Sequence, residues 1–169
     1  MKIKKPRIKL ALTDFDRLLE RFGLLEVLFL WVYVMVIYKS LPQSIPSHFN
    51  FSGKIDSYGD KSLLFILPGI MAILYTGLSI LNNYPHIFNY PVAVTNENAE
   101  KLYTLATSLI RWLKCIIALL FIFLTVQIVE GAKHGGSSMR WWDIPLILLL
   151  VNIPVVIFLY KSTKVGAAG

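Results

Sequence analysis

Four apolar runs constrain this chain more than any other feature, because each is close to the roughly 20 residues that span a bilayer core. Hydrophobic residues make up 56% of the 169 residues and charged residues 16%, and the mean hydropathy is +0.61. This composition is far from that of a soluble domain. We therefore expect an all-α integral membrane protein whose membrane domain covers residues 24–161, with transmembrane helices at about 24–40, 62–81, 109–129 and 143–160.

The segment before the first run is basic and then amphipathic. Residues 1–12 carry five positive side chains and lack the apolar core and cleavage site of a signal peptide. Thr13 can cap a helix in which Phe15, Leu18 and Phe22 share one face. We expect residues 1–23 to form a cytoplasmic basic arm and an amphipathic helix at the membrane interface, with a bend at Gly23. Residues 162–169 are expected to be a flexible tail.

Positive charge is distributed beside the ends of the apolar runs, which is typical of a membrane protein rather than a nucleic-acid-binding one. If the N-terminus lies inside, twelve of the 17 Lys and Arg residues lie on the inner side and five on the outer side. The positive-inside rule then places both termini in the cytoplasm and residues 41–61 outside. The expected location is a bacterial cytoplasmic membrane, with lipids as partners, no nucleic acid, and a homo-oligomer left open.

Three charged residues lie inside the apolar runs. Glu26 is near the predicted inner end of the first helix, where it could reach water or a basic partner. Arg111 and Lys114 lie one turn apart near the inner end of the third helix. Their long side chains are expected to extend to the lipid headgroups.

The loop at 41–61 is longer than a mere helix connection and is rich in polar residues, glycine and proline. Pro42 and Pro46 stiffen its entry. Two segments, 50–53 and 57–60, resemble turns in which Gly53 and Gly59 supply positive φ. We therefore expect an ordered outer loop folded over the helices. Pro85 and Pro91 should order the inner connection in the same way.

The polar residues of this loop allow several interpretations. Asn50 and Asp56 could satisfy backbone groups of the loop while His48 fills a hydrogen-bonding gap, or these residues could recognise an external ligand. A third interpretation is a metal site at His48 and Asp56, with Asp60 as a weak third ligand and His134 approaching from the other outer loop. Zinc normally requires three or four ligands, and no H-x-x-x-H or C-x-x-C spacing occurs. A cofactor is therefore not expected.

Other chemistry has weaker support. No G-x-S-x-G or zincin motif is present. Cys115, the single cysteine, is most simply a packing residue in an apolar helix. Polar residues at membrane depth could line a transport path or make interhelical hydrogen bonds, and packing is the preferred interpretation; they are Thr125, Gln127 and Asn152.

The loop carries the pattern L-P-x-x-I-P-x-H-F-N-x-x-G-x-x-D-x-x-G-x-K, from Leu41 to Lys61. This pattern resembles the membrane domain of the SdpI-type immunity proteins, and the likeness covers most of the chain from about Leu24 to Tyr160. The resemblance implies a polytopic protein of the cytoplasmic membrane that protects a bacterium from a secreted toxin peptide. It also increases the weight placed on five residues, which are His48, Asn50, Gly53, Asp56 and Gly59.

The expected function is non-enzymatic immunity or sensing, in which the outer loop binds an extracytoplasmic peptide or a lipid-like ligand. Phe49, Phe51 and Tyr58 would offer apolar contact, together with Trp141 and Trp142. The remaining candidate ligand residues are His48, Asn50, Gly53, Asp56, Gly59 and Lys61. The alternative is a membrane enzyme or transporter subunit that uses His48 and Asp56 as a polar or metal site.

Overall fold

The computed structural model describes residues 5–50, 52–136, 140 and 142–167. Within these residues, four helices are long and apolar enough to cross a membrane, by length and composition. This confirms the expectation of a mainly helical chain with four potential spans. The helices are α1 (Asp14–Ile37), α2 (Ile66–Leu81, preceded by a 3₁₀ turn at Lys61–Phe65), α3 (Ala99–His134) and α4 (Asp143–Ala167).

The ordered loop between α1 and α2 is an antiparallel β-hairpin. Strand β1 (Ser44–Phe49) pairs with β2 (Ile55–Asp60), with irregular register on either side of His48. Thus the expectation of an ordered loop is confirmed, and its secondary structure is strand rather than turns alone.

Helix α1 runs without interruption through Gly23, where the sequence predicted a bend after a separate amphipathic helix. Thr13 caps the helix as predicted, since its hydroxyl accepts a hydrogen bond from the Asp16 backbone N–H at 3.1 Å. The side that the first turns of the helix bury against the bundle does not coincide with either of the two predicted faces. Asp16 is buried, whereas the apolar side chains of Phe15 and Phe22 are exposed. Leu19 of the predicted apolar face is also buried, and Arg17 of the predicted polar face is exposed, so the buried side of α1 combines residues of both faces.

Helices α3 and α4 are longer than predicted. The 36 residues of α3 span about 54 Å at 1.5 Å per residue, which exceeds the ~30 Å hydrocarbon core. The predicted span at 109–129 is the central part of this helix, which begins at Ala99, continues to His134 and ends at Gly135 with a φ of 70°. Helix α4 continues to Ala167, so the predicted flexible tail is helical up to that residue.

The bundle has two distinct ends. At one, which we call the hairpin end, β1 packs against α3, and Pro46 Cγ and Ile55 Cδ1 both approach Gly131 closely. At the other, the arm end, the Tyr103 hydroxyl donates a 2.9 Å hydrogen bond to the Pro6 carbonyl. Val165, near the end of α4, packs against the same apolar cluster as Tyr103. The first described residues and the end of α4 therefore lie at the arm end.

An apolar core joins the hairpin to the helices. Leu41 and Ile45 at the start of the hairpin are buried in one cluster with residues of α1, α2 and α3. Helix α4, in contrast, packs against α3, and only 6% of the residues in its most apolar 18-residue stretch are buried. The hairpin is thus anchored by α1, α2 and α3. The buried members of the core are Val27, Leu30, Val34, Leu41, Ile45, Leu64, Met71, Ala118 and Val129.

Candidate functional site

The tip of the hairpin is organised by Asn50. Its Oδ1 accepts hydrogen bonds from the backbone N–H groups of Ser52 and Lys54, both at 3.0 Å, and from the Ser52 hydroxyl at 2.8 Å. Gly53 has a φ of 77°, a conformation that glycine adopts without the steric penalty of a Cβ. The predicted turn at 50–53 is therefore confirmed, and Asn50 satisfies loop backbone groups, as the structural interpretation required.

The second predicted turn, at 57–60, is wrong. These residues belong to β2, and Gly59 is absent from the described residues with positive φ. A Cβ at Gly59 would come within 2.5 Å of Leu63 Cδ1. The glycine leaves room for the Leu63 side chain of the following 3₁₀ turn and has no role in turn geometry.

Asp60 and Lys61 connect the hairpin to α2. Asp60 accepts a 2.8 Å hydrogen bond from the Ser62 backbone N–H and a 2.5 Å bond from the Gln43 side chain. The hydrogen bonds from Ser62 lower the pKa of Asp60 below its usual value. The Lys61 ammonium lies 4.8 Å from the centre of the Tyr38 ring, where a cation–π interaction forms. Both residues therefore have structural contacts.

The four prolines differ in their surroundings. Pro46 is fully buried, whereas Pro42 is exposed. At the arm end, buried Pro85 begins a 3₁₀ turn, and its carbonyl accepts a 2.9 Å hydrogen bond from the Tyr90 hydroxyl. Pro91 is exposed in the same connection. Burial raises the pKa of Tyr90 above its usual value, in agreement with an ordered inner connection.

His48 and Asp56 form an exposed pair on the hairpin. The distance from His48 Nδ1 to Asp56 Oδ1 is 2.5 Å, and the two side chains are 66% and 42% exposed. Asp56 therefore contacts a side chain of the facing strand, which differs from the backbone role considered for it. Phe49 is half-buried and Tyr58 is 55% exposed nearby on the two strands. Phe51 and Trp141, which were expected to contribute apolar contact, lie outside the described residues.

The metal interpretation lacks a third ligand. Among the described residues, no group of three His, Cys, Asp or Glu side chains is placed to hold a metal ion. Asp60 caps the turn before α2, and His134 pairs with Glu130 of its own helix at 3.4 Å. The pair of His48 and Asp56 therefore offers hydrogen bonding and charge rather than a complete metal site.

A second polar cluster lies inside the bundle near the arm end, and the sequence analysis missed it. Arg111 Nη1 is 3.2 Å from Asp16 Oδ1, and its Nε is 3.3 Å from Glu20 Oε1. Lys114 Nζ is 2.5 Å from Glu20 Oε2. The prediction that Arg111 and Lys114 extend to the headgroups is wrong, because both are buried against the acidic face of α1. We call these four side chains the ion-pair cluster.

The ion-pair cluster borders a cavity and a layer of hydroxyl groups. Lys114 Nζ also donates to the Ser79 hydroxyl at 2.8 Å and lies 4.6 Å from the centre of the Tyr75 ring. A cavity of about 520 Å³ at the arm end is lined by Glu20, Ser79 and Arg111, among other residues. Two acidic residues one turn apart on α1 and two basic residues one turn apart on α3 were the available sequence signal.

Glu26 differs from the expectation that it would reach water or a basic partner. It is only 5% exposed, and neither carboxyl oxygen has a hydrogen-bond partner in the described structure. Two of the other polar residues at membrane depth bond within their own helices. Thr125 donates to the Phe121 carbonyl and Asn152 to the Leu148 carbonyl, both at 2.7 Å.

Comparison with known proteins finds one family model and one relative. Residues 26–72 match the family model described as "Domain of unknown function (DUF1648)". This segment contains the whole hairpin and parts of α1 and α2. An uncharacterized protein of Archaeoglobus fulgidus is 33% identical over 165 residues, covering 89% of this chain and 90% of that protein. Neither match is specific to the SdpI-type immunity proteins, and no solved structure matches.

Proposed function

The chain belongs to the family of the Archaeoglobus fulgidus protein. We propose that it is a membrane protein of the immunity or sensing type, which is the role implied by the resemblance of its loop to the SdpI-type immunity proteins. It binds an extracytoplasmic peptide or lipid-like ligand through the hairpin. His48 and Asp56 provide polar recognition, and Phe49 and Tyr58 provide apolar contact. No resident cofactor is part of this proposal.

The observation that carries the proposal is the exposed pair of His48 and Asp56. The other polar and glycine residues of the pattern hold the hairpin together: Asn50 and Gly53 form the turn, and Asp60 caps the next helix. The pair, in contrast, joins two exposed side chains, and exposed ion pairs contribute little to stability. A contact that contributes little to the fold is available for a ligand.

An extended peptide is the ligand that fits the hairpin best. Strand β1 packs against α3, which leaves β2 as the outer strand, with Asp56, Ser57 and Tyr58 exposed. The open edge of a strand can pair with an additional strand through its backbone groups. A peptide bound there would lie beside the imidazole and carboxylate of the pair.

The proposal requires a particular orientation in the membrane, and the distribution of Lys and Arg residues supports that orientation. The arm-end segments hold twelve of the 17 Lys and Arg residues in the predicted topology, which favours a cytoplasmic arm end. We therefore propose that both termini are cytoplasmic and that the hairpin faces the cell exterior. The archaeal relative broadens the expected host beyond bacteria.

The alternative, a membrane enzyme or transporter subunit, would use the same pair of His48 and Asp56. Its metal-dependent form needs a third ligand, which the described residues do not bring to the site. Its metal-free form, which uses the pair as a polar site, would make function depend on His48 and Asp56 but not on the apolar residue Tyr58.

The test is peptide selection on the purified protein in lipid nanodiscs, using a phage-displayed library of random peptides. Selected peptides should bind wild-type protein, lose most of their affinity for Asp56→Asn and Tyr58→Ala, and retain it for the control variant Glu100→Gln. Glu100 is exposed on α3 near the arm end, far from the hairpin along the bundle. Selection of peptides that bind Asp56→Asn as tightly as wild type, or of none at all, would contradict the proposal.

A further inference from the structure

Glu26 occupies an unusual position for a carboxyl group. It lies about 18 Å along α1 from Asp14, at 1.5 Å per residue, and it is buried inside the bundle. Neither carboxyl oxygen has a hydrogen-bond partner among the described residues. An ionisable residue within a membrane span is rare and usually marks a functional site.

The groups around Glu26 come from three helices. Tyr75 of α2 and Cys115 of α3 both contact the α1 face at Gly23, one turn before Glu26, where a Cβ would lie 2.8 Å from Tyr75 Cε2 and 3.4 Å from Cys115 Sγ. Glu20 precedes Gly23 by about one turn, and its backbone carbonyl accepts a 2.8 Å hydrogen bond from the Tyr75 hydroxyl. The remaining charged groups on this side are Asp16, Arg111 and Lys114 of the ion-pair cluster.

The four charges of the ion-pair cluster balance one another without Glu26. Asp16 and Glu20 supply two negative charges, and Arg111 and Lys114 supply two positive charges. An ionised Glu26 would be an additional, unpaired charge. Burying such a charge without a partner is far more costly than burying a neutral carboxylic acid.

A cavity connects the polar residues near Glu26 with the solution at the arm end. The cavity of about 520 Å³ there reaches Glu20, Ser79 and Arg111. The Glu20 carboxylate accepts hydrogen bonds from the Lys114 ammonium at 2.5 Å and from the Tyr75 hydroxyl at 3.4 Å. Toward the hairpin end, the same face of α1 continues with Leu30 and Val34, which are fully buried in the apolar core.

We propose that Glu26 is a proton-binding site within the membrane, which exchanges its proton with solution at the arm end through the ion-pair cluster. The proton leaves the Glu26 carboxyl group for water that enters past the ion-pair cluster from the cavity at the arm end, and it returns by the same route. The apolar core closes the opposite route, so access is one-sided. This site is separate from the hairpin and does not depend on the function proposed for it.

Infrared spectroscopy of the protein in liposomes tests the proposal, because a protonated carboxylic acid has a carbonyl band separate from that of a carboxylate. At neutral pH the wild type should show this band, and Glu26→Gln should lose it. The control Glu100→Gln, which removes an exposed carboxyl, should keep it. The band should shift in deuterium oxide, and Lys114→Met should slow that shift.

Two results would overturn the proposal. One is an identical carboxylic acid band in wild type and folded Glu26→Gln, which would show that Glu26 is ionised. The other is a band that does not shift in deuterium oxide, which would show that the site has no access to solution. If Glu26→Gln does not fold, Glu26→Asp retains the acid and should give a band displaced in frequency; an unchanged band in that variant would also overturn the proposal.

Discussion

Replacing Lys114 with methionine tests whether the Lys114 ammonium is buried against Glu20, as in the structure, or extends to the lipid headgroups, as the sequence predicted. Methionine has a similar length and no charge, so the substitution removes the ammonium group with little change in packing. In the structure, the Lys114 side chain is 1% exposed and contacts Glu20 and Ser79. Its loss leaves the Glu20 carboxylate with Arg111 as its remaining basic partner.

The expected magnitude follows from burial. Removing one partner of a buried pair typically costs 3–5 kcal/mol, and the lower end applies because the Glu20 side chain is 32% exposed and keeps Arg111. We expect Lys114→Met to lower the free energy of unfolding by about 3 kcal/mol, which is roughly a 150-fold change in the equilibrium constant.

The assay is equilibrium unfolding in mixed micelles, monitored by circular dichroism. Arg17→Met provides a matched control, because Arg17 also pairs with a carboxylate, that of Asp14 at 2.7 Å, but the two side chains are 55% and 97% exposed. The control should change stability by at most about 1 kcal/mol. Equal effects of the two substitutions would refute the burial argument and favour a Lys114 side chain that reaches the headgroups.

Three further predictions concern the hairpin. Gly59→Ala should destabilise the protein by at most about 1 kcal/mol, because the exposed Leu63 side chain must move away from the added Cβ, whereas Gly69→Ala, with no atom within 4 Å of the added Cβ, should not; thermal unfolding in detergent compares them, and equal melting temperatures would contradict the contact. Asn50→Ala removes three hydrogen bonds of the turn and should speed proteolysis within the hairpin, while unchanged cleavage would exclude this role. Asp60 has a lowered pKa, so its stabilising effect should be complete above about pH 4 and lost as pH falls further; Asp60→Asn should remove that part of the acid dependence of unfolding, and an unchanged acid profile would argue against the cap.

The number of spans was predictable because the bilayer thickness sets the length of each apolar segment. This length does not depend on which helices pack against one another. The turn at Asn50 and Gly53 was predictable for a similar reason, since a local hydrogen-bonding pattern and a positive φ determine it. Helix ends were less predictable. Helix α3 continues past the apolar run to His134, through residues that include polar ones, and it ends only at Gly135, which adopts a positive φ.

The orientation of α1 could not be derived from periodicity alone. An amphipathic face pattern indicates two different faces, but it does not say which one lies against protein. Asp16 faces inward because it pairs with Arg111. Arg111 lies 95 residues away in the chain and on a different helix, so periodicity within α1 cannot reveal the pair. Gly59 shows a similar limit, since a glycine required by a close contact in a strand looks the same in sequence as one required by a turn.

The proposed recognition role depends on the hairpin being displayed outside the cell, and cysteine labelling measures this directly. In a Cys115→Ala background, Ser57→Cys on β2 and Asn83→Cys at the arm end both place a thiol at an exposed position. A membrane-impermeant maleimide on intact cells should label Ser57→Cys and should reach Asn83→Cys only after permeabilisation. Labelling of Asn83→Cys alone in intact cells would contradict the account, because the hairpin would then face the cytoplasm.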